Sequence, residues 1–483
     1  MTEGHIISFD FGTSGVKAVL VGFGGDIKGV STKNYELLQP RPGWAEQVPS
    51  AYWKACCEAT RELVAETGTD PSTVKGIIFA CQWKGMVPLD RDGNVLHNSI
   101  IWMDTRAAKQ ADELSERLGR KVSAREYWPR VMWFRDNYPD LFRKTVVIPD
   151  AGGYLKYKAC GTFSGDESSN FCHSNLGATE KWFTDVLDAA GLDGKLFPRA
   201  VAASECVGEL TSEAAAEMSL AAGTKVFGGL GDIPAVTIGS GAYPVGASHV
   251  YLGTSGWIAL TRRVDEKAPL VPLLVDSSRW VEARGLQSAC MSFDWCLKNF
   301  YGGLSAENYS LVEKEMSAIP AGCGGLVAVP SLNGEAGPFM PTMRAGFLGL
   351  RSDHTRAHMT RAVLEGISQI LKVRKDLIEK NSGMKIKAVN VVGGGSKSSC
   401  WMQILADMLD CEVRVPAGAK YAGALGAAYC AMAGLGVHKS IDDAVKASEM
   451  ERTFRPDPEV VDKYNLQSEK FLKACTMLGE FCG

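Results

Sequence analysis

Gly228-Gly229-Leu230-Gly231-Asp232 lies close to the middle of the chain and delivers one carboxylate at the end of a glycine run. Lys225-Val226-Phe227 before it predicts a short strand, and Ile233-Pro234-Ala235-Val236 after it predicts a helix start with proline in the first turn. Glycines at a strand-to-helix turn let the backbone approach a bound group, and the helix N-terminus offers free N–H donors to an anion. An acid facing a phosphate there serves a metal or a proton transfer, so the chemistry suggested is phosphoryl transfer. A helix N-cap is the ordinary explanation of the same acid. A second acid, Asp10, ends the apolar run His5-Ile6-Ile7-Ser8-Phe9-Asp10 and precedes Phe11-Gly12-Thr13-Ser14-Gly15; alone, it could equally be a turn-forming acid.

Strands must carry these turns. A strand over 16–23 follows the first Gly-Thr-Ser-Gly, which predicts a tight hairpin. The pattern returns about half a chain later, where His249-Val250-Tyr251-Leu252 runs into Gly253-Thr254-Ser255-Gly256 and a strand over 257–261. Val389-Asn390-Val391-Val392-Gly393-Gly394-Gly395-Ser396 is again a strand entering glycines and a helix, like the stretch around Asp232. The repetition points to duplication: two related α/β domains meeting at a cleft, 1–243 and 244–483, with the break within 242–246. Helices are expected over 54–66, 356–380 and 398–409, and a buried strand over 74–81.

A chain of 483 residues exceeds one core, which independently predicts two domains of about 200 to 250 residues. Composition is ordinary for a soluble protein, 46% hydrophobic and 22% charged, and a net charge of -3 argues against a nucleic-acid surface. The 14 cysteines are scattered without a C-x-x-C spacing, so neither zinc nor a disulfide framework is expected. The polar start lacks a charged-then-apolar leader, and the Ala/Gly-rich 422–437 reads as a closely packed buried helix and not a membrane span. A reduced cytoplasm is the expected compartment.

Asp10-Phe11-Gly12 matches the magnesium motif of protein kinases, but without a His-Arg-Asp loop or a preceding glycine-rich loop the match is false. Neither G-x-x-x-x-G-K-[ST] nor G-x-G-x-x-G occurs, so phosphate binding must use hairpins. His354 and His358 stand four apart near a helix start; with no third ligand nearby, a solvated first turn explains them better than a metal.

Four ordered stretches together resemble the FGGY carbohydrate kinases: Asp10 to Lys17, Gly228 to Asp232, Leu252-Gly253-Thr254-Ser255 and Gly393-Gly394-Gly395-Ser396-Lys397-Ser398. Gly43-Trp44-Ala45-Glu46-Gln47-Val48-Pro49, Ile101-Trp102-Met103-Asp104-Thr105-Arg106 and Trp401 to Asp407 support it, and the resemblance spans nearly the whole chain. Members that phosphorylate xylulose look nearest. The resemblance implies two ribonuclease H-like domains of the actin and hexokinase superfamily, the N-terminal one binding sugar and the C-terminal one nucleotide. It implies ATP and Mg2+, with Asp232 as general base taking the proton of a sugar hydroxyl and Asp10 helping hold the metal, to which Asp232 is also assigned through ATP. It places Gly12, Thr13, Ser14 and Lys17 beside the phosphates, Thr254 near the γ-phosphate with Gly253 also on the ATP side, and Gly394, Gly395 and Ser398 along the adenosine. Gln82, Trp83 and Lys84 fall on the sugar side.

The sugar side is also where the chain departs. Xylulose-phosphorylating members carry Gln-Met-His-Gly where this chain has Gln82-Trp83-Lys84-Gly85, and Lys84 can donate but not accept. Asp150-Ala151-Gly152-Gly153-Tyr154 lacks the usual Lys-Asp before its tyrosine, and Ala336 stands where many relatives have Arg. The expected reaction is phosphorylation of a free ketopentose such as xylulose. Another ketose, a polyol or a sugar acid paired with Lys84 is the alternative, and an actin-like ATPase switch without sugar transfer is the more distant one. The expected partners are a small sugar and ATP, with no nucleic acid and no membrane, and a homodimer stays open.

Overall fold

Runs of β-branched and aromatic residues build the first sheet at once. In the computed structural model, which describes residues 4–169, 171–173, 177–265, 272–335, 337, 339, 341–447 and 449–483, β1 (His5–Phe11), β2 (Gly15–Gly22) and β3 (Ile27–Asn34) form an antiparallel meander. Ala336 falls outside these residues. Helix α1 (Pro49–Thr67) then crosses over, and β4 (Val74–Cys81) returns parallel to β1. Because β4 is central and parallel, nearly all of its residues are buried, which is why its sequence reads as an apolar run without alternation.

Helix α1 begins a turn earlier than its apolar spacing predicts. Pro49 occupies the first turn, where its fixed φ suits the helix and its missing N–H costs nothing, and Gly68 ends the helix in the left-handed region at φ 63°. Its buried face, Tyr52, Cys56, Ala59 and Leu63, packs in one core with Phe9, Phe11 and Phe79. Phe9 stacks on Phe79 with centroids 5.2 Å apart. Further along come α2 (Tyr127–Asn137), α3 (Ala151–Cys160), β5 (Cys206–Glu209), β6 (Lys225–Phe227), β7 (Leu230–Gly231) and α4 (Asp232–Gly239). The strand order is β3-β2-β1-β4-β6-β5, with β7 beside the end of β4.

The second half repeats the scheme with β8 (Ser248–Leu252), β9 (Gly256–Arg263), β10 (Leu273–Asp276), β11 (Arg279–Leu286), α5 (Ala306–Ser317), α6 (Arg356–Ser382), β12 (Ala388–Val392), α7 (Ser399–Leu409), β13 (Glu412–Pro416), α8 (Ala422–Gly434) and β14 (Met450–Phe454). The order is β10-β11-β9-β8-β12-β13-β14. β8 pairs antiparallel with β9 and parallel with β12, as β1 does with β2 and β4. The fold is two ribonuclease H-like domains. Two compact units result: Met1–Gly239 with Arg263–Val281 and Gly423–Ala447, and Ser240–Arg262 with Glu282–Ala422 and Ser448–Gly483.

Small residues let α8 lie against α4 within the first unit, since a Cβ on Gly426 would stand 1.9 Å from the Ala235 carbonyl oxygen. Among the described residues no helix is long and apolar enough to cross a membrane. The histidine pair closes the start of α6: Thr355 and His358 form a reciprocal capping box, and the His354 ring lies 5.1 Å from that of His358.

Candidate active site

In the first unit the β1–β2 hairpin presents Asp10 across from Lys17, whose Nζ lies 3.2 Å from Asp10 Oδ2. Lys17, expected beside phosphates, is thus paired with the acid expected to hold the metal. Gly423, at the start of α8, lies against the Asp10 carboxylate, where a Cβ would come within 3.4 Å of its carbon. A helix N-terminus beside an acid is favourable electrostatically. Sequence reading missed Gly423, because nothing in an Ala/Gly-rich helix announces which glycine faces an acid. The turn itself is held from beneath: the Tyr35 hydroxyl donates to the Gly12 carbonyl, Gly12 N donates to Gly15 O at 3.0 Å, and Ser14 stays exposed.

Thr13 and Gln82, expected on the phosphate and sugar sides respectively, meet in one network. Thr13 Oγ1 donates to Gln82 Oε1 at 3.3 Å and accepts from Trp102 Nε1 at 3.1 Å. Gln47 Nε2 donates to the Thr13 carbonyl at 2.6 Å, while its Oε1 accepts from Gln82 Nε2 and the Tyr52 hydroxyl, both at 2.7 Å. Gln82 is buried at the end of β4. Buried amides with every partner satisfied hold a fixed orientation.

Asp232 opens α4. Its Oδ1 accepts from Ile233 N at 2.9 Å, leaving Oδ2 free among the described residues. Burial of the carboxyl raises its pKa from the usual carboxylate range to about 6; the Ile233 amide opposes this rise, and the negative charge of Asp10 adds to it. Asp232 thus feels the charge of Asp10 at the position where the sequence suggested a base or an N-cap.

Trp83 packs on the residue before this acid: a Cβ on Gly231 would lie 2.4 Å from Trp83 Nε1, and that indole N–H is buried with no hydrogen-bond partner among the described residues. Lys84 adopts a left-handed φ of 64° and pairs with Glu126 at 2.8 Å. Both line a cavity of about 680 Å³ with Arg120, Glu126, Trp128 and Trp182. Arg120 lies 3.6 Å above the Trp182 ring. Glu126 escaped sequence reading because it lies more than forty residues from Lys84 with no shared motif.

The second unit holds the other predicted set. Gly253 and Thr254 form the turn between β8 and β9, and Gly393 at φ 94° leads into Gly394 and Gly395. These glycines differ in kind. Gly395 is hemmed in, with Leu252 and Trp401 atoms 2.8 Å from a notional Cβ, whereas Gly394 faces open space. Thr254, Gly394, Gly395 and Ser398 line a cavity of about 760 Å³ together with Phe293, Tyr309 and Glu313. Ser398 caps α7 by accepting from Trp401 N at 3.0 Å, and its hydroxyl donates to Glu313 Oε2 at 2.6 Å. Its side chain is therefore committed within the wall. Glu313 also accepts from Cys400 N at 2.7 Å, a role its place on α5 does not reveal in sequence. Burial pushes the Cys290 thiol up to about 12, which favours the neutral thiol there.

Comparison with known proteins gives the arrangement its class. Residues 5–239 match the FGGY family of carbohydrate kinases, N-terminal domain, and residues 249–435 match the C-terminal domain of that family. The chain belongs to the FGGY family of carbohydrate kinases. This FGGY member is 30% identical over 475 residues to the xylulose kinase of Bacillus subtilis, covering 95% of this chain and 94% of the relative. It is 27% identical over 496 residues to the L-xylulose/3-keto-L-gulonate kinase of Escherichia coli, covering 98% and 96%. The ligand-bound xylulose kinase from Lactobacillus acidophilus superimposes with a TM-score of 0.85 at 22% identity, covering 98% of each chain. As a family member, the protein is a carbohydrate kinase acting on a sugar.

Proposed function

We propose that this kinase transfers the γ-phosphoryl group of ATP to a hydroxyl of a free ketose, xylulose foremost, with Asp232 as the general base. The observation that carries the reading is Asp232 itself: a carboxyl at a helix start, raised to about 6, with one oxygen uncommitted. In the reaction the hydroxyl oxygen bonds to the γ-phosphorus as the bond to the β–γ bridging oxygen breaks. The hydroxyl proton passes to Asp232, and ADP leaves. In the first unit the Thr13 and Ser14 amides and the exposed Ser14 hydroxyl, and in the second unit Thr254, would be donors to nucleotide phosphates, while the Gly12 and Gly253 amides, given to Gly15 O and Ser255 O at 3.0 Å, shape the two turns.

The donor set suits magnesium brought in by the nucleotide. Among the described residues no cluster of three His, Cys, Asp or Glu forms a cage, and magnesium is ordinarily held by one or two carboxylates plus substrate phosphates. Asp10 and Asp232 would provide those carboxylates, and the ion, when bound, would supply charge neutralisation. Gly394, Gly395 and Ser398 line the cavity assigned to adenosine.

A sugar acid is the second reading, favoured by the cavity wall beside Trp83, where Lys84, Arg120 and Lys121 outnumber Glu126. The Escherichia coli relative's name includes 3-keto-L-gulonate, a sugar acid. Measuring ADP release with ATP and magnesium across pentuloses, hexuloses, polyols and sugar acids tests both readings, with Asp232→Ala as the control. Acceleration by one ketose that vanishes in the variant is expected. Acceleration by acids alone installs the second reading, and equal ATP turnover with and without every sugar defeats both.

A further inference from the structure

Behind the Gly228–Asp232 turn lies a polar assembly that the reaction does not use. Lys156 on α3 is 2% exposed, and its Nζ donates to the Gly228 carbonyl at 2.6 Å and the Gly165 carbonyl at 3.0 Å. No carboxylate pairs with it among the described residues. At the other end of the turn, Gly231 N donates to Ser168 Oγ at 2.8 Å. The Ser168 hydroxyl in turn donates to Asp166 Oδ1, which also accepts from Ser168 N at 3.0 Å, and Asp166 Oδ2 accepts from Ser169 Oγ at 3.0 Å. Ser168 and Asp166 are both buried.

We propose that Ser168, Asp166 and Lys156 are positioning residues that clamp both ends of the turn and so set where Asp232 stands. The inference rests on reading Asp232 as the base. Apart from these contacts the turn is held by the Gly228 amide, which donates to the Glu205 carbonyl at 2.8 Å, and by a short strand. β7 is two residues long and pairs on one side with Ala80 and Cys81; the Ser168 hydroxyl takes the place of a further strand on the other side. Gly229 holds a φ of 76°, and Gly228, Gly229 and Gly231 each lack room for a Cβ, so the turn has one way to sit.

Energetics argue the same way. Burying a lysine amine to satisfy two backbone carbonyls is expensive, and an apolar residue of similar length would spare that cost. Burial, with the negative charge of Asp166 added, raises the neighbouring Asp150 carboxyl above the usual carboxylate range, against the pull of the Lys156 ammonium. An interior that carries these groups loses stability and gains a fixed turn.

The test compares Ser168→Ala, Ser168→Thr, Asp166→Asn and Lys156→Arg with Ser164→Ala, which removes an unpartnered buried hydroxyl from the same segment. Steady-state kinetics on the best sugar are read beside hydrogen exchange of the peptide covering 228–232. In Ser168→Ala, kcat is expected to fall about 10- to 100-fold with KM for ATP and sugar within about twofold. The Gly231 amide should exchange about tenfold faster or more. Ser168→Thr restores both, and Ser164→Ala changes neither. Wild-type kcat in folded Ser168→Ala, or a loss of kcat with unchanged exchange, overturns the proposal; should that variant not fold, Asp166→Asn is read by the same criteria. An active Asp232→Ala defeats the base reading instead, so the two failures are distinguishable.

Discussion

The β1–β2 and β8–β9 hairpins carry the same Gly-Thr-Ser-Gly run but close in different registers. In the first, Phe11 pairs with Val16 and Asp10 with Lys17; in the second, Leu252 pairs with Gly256 and Tyr251 with Trp257, a loop one residue shorter. A one-residue change of register changes which side chains confront each other. Where the first hairpin holds an ion pair of 3.2 Å, the second holds a ring stack with centroids 4.1 Å apart. The same four residues thus close two different turns, Gly12 N donating to Gly15 O in the first and Gly253 N to Ser255 O in the second, and the first carries an ion pair beside its turn. The proposed mechanism assigns the metal to the hairpin that carries the ion pair and the nucleotide lining to the other unit.

The largest expected effect breaks the comparison at its charged member. On the proposed mechanism, Asp10→Ala should lower kcat at least about 1000-fold at saturating magnesium, as Asp232→Ala should, because the first would remove a metal-holding carboxylate and the second the base. Trp257→Ala, the equivalent insult to the second hairpin, should leave kcat within about threefold and cost about 1 to 2 kcal/mol of stability, read as a drop of a few degrees in Tm. Comparable losses of kcat in both variants would mean that register has no bearing on chemistry.

Next in size is Gly231→Ala. Its Cβ would collide with Trp83 Nε1 at 2.4 Å, displacing the residue before the base, and kcat should fall about 100-fold. Removing the indole should return part of that activity in Gly231→Ala/Trp83→Phe. A double variant no better than the single one would place the damage in the backbone.

The pH profile comes third. Burial, opposed by the Ile233 amide and reinforced by Asp10, holds the Asp232 proton up to about pH 6. A base works only without its proton, so kcat/KM should rise with pH through about 6 and fall about tenfold per unit below it. For stability the sign is opposite: the native state binds this proton more tightly than the unfolded chain. Its contribution is therefore present below the ordinary value of 3.8 and is lost as pH rises towards about 6. Lys17→Met should leave the acid limb in place. An acid limb near 4 in the wild type would show that the carboxyl is better solvated than its burial implies.

Local pattern made much of this legible. Alternation and apolar runs announced β1, β2, β4 and β12, the repeated turn announced the duplication, and glycines before Asp232 announced the strand-to-helix junction. What escaped depends on pairings distant in sequence. Glu126 reaches Lys84, Glu313 reaches Ser398 and Ser168 reaches Gly231 across dozens of residues with no periodicity linking them. Registers escaped for the same reason: identical turn sequences do not reveal that one loop is a residue shorter. Even the start of α1 was set by Pro49, while its apolar spacing alone pointed further along.

The smallest expected effect asks whether the Lys84–Glu126 pair resembles Asp10–Lys17 in belonging to the reaction. Lys84 is the more constrained of the two lysines, held at φ 64° with its amine 2.8 Å from Glu126. A half-exposed pair of this kind contributes little to stability, about 0 to 1 kcal/mol, so its removal reports on substrate with little interference from folding. Glu126→Gln leaves the cavity wall with Lys84, Arg120 and Lys121 and no opposing carboxylate from that position. KM for a sugar acid should then fall about three- to tenfold, while KM for a neutral ketose stays within about twofold, because only the anion gains from the uncompensated charge. Lys84→Met should reverse the preference. Equal shifts for acid and ketose in both variants would make the pair a piece of wall, and the charge that matters for this kinase would then lie wholly at Asp10, Lys17 and Asp232.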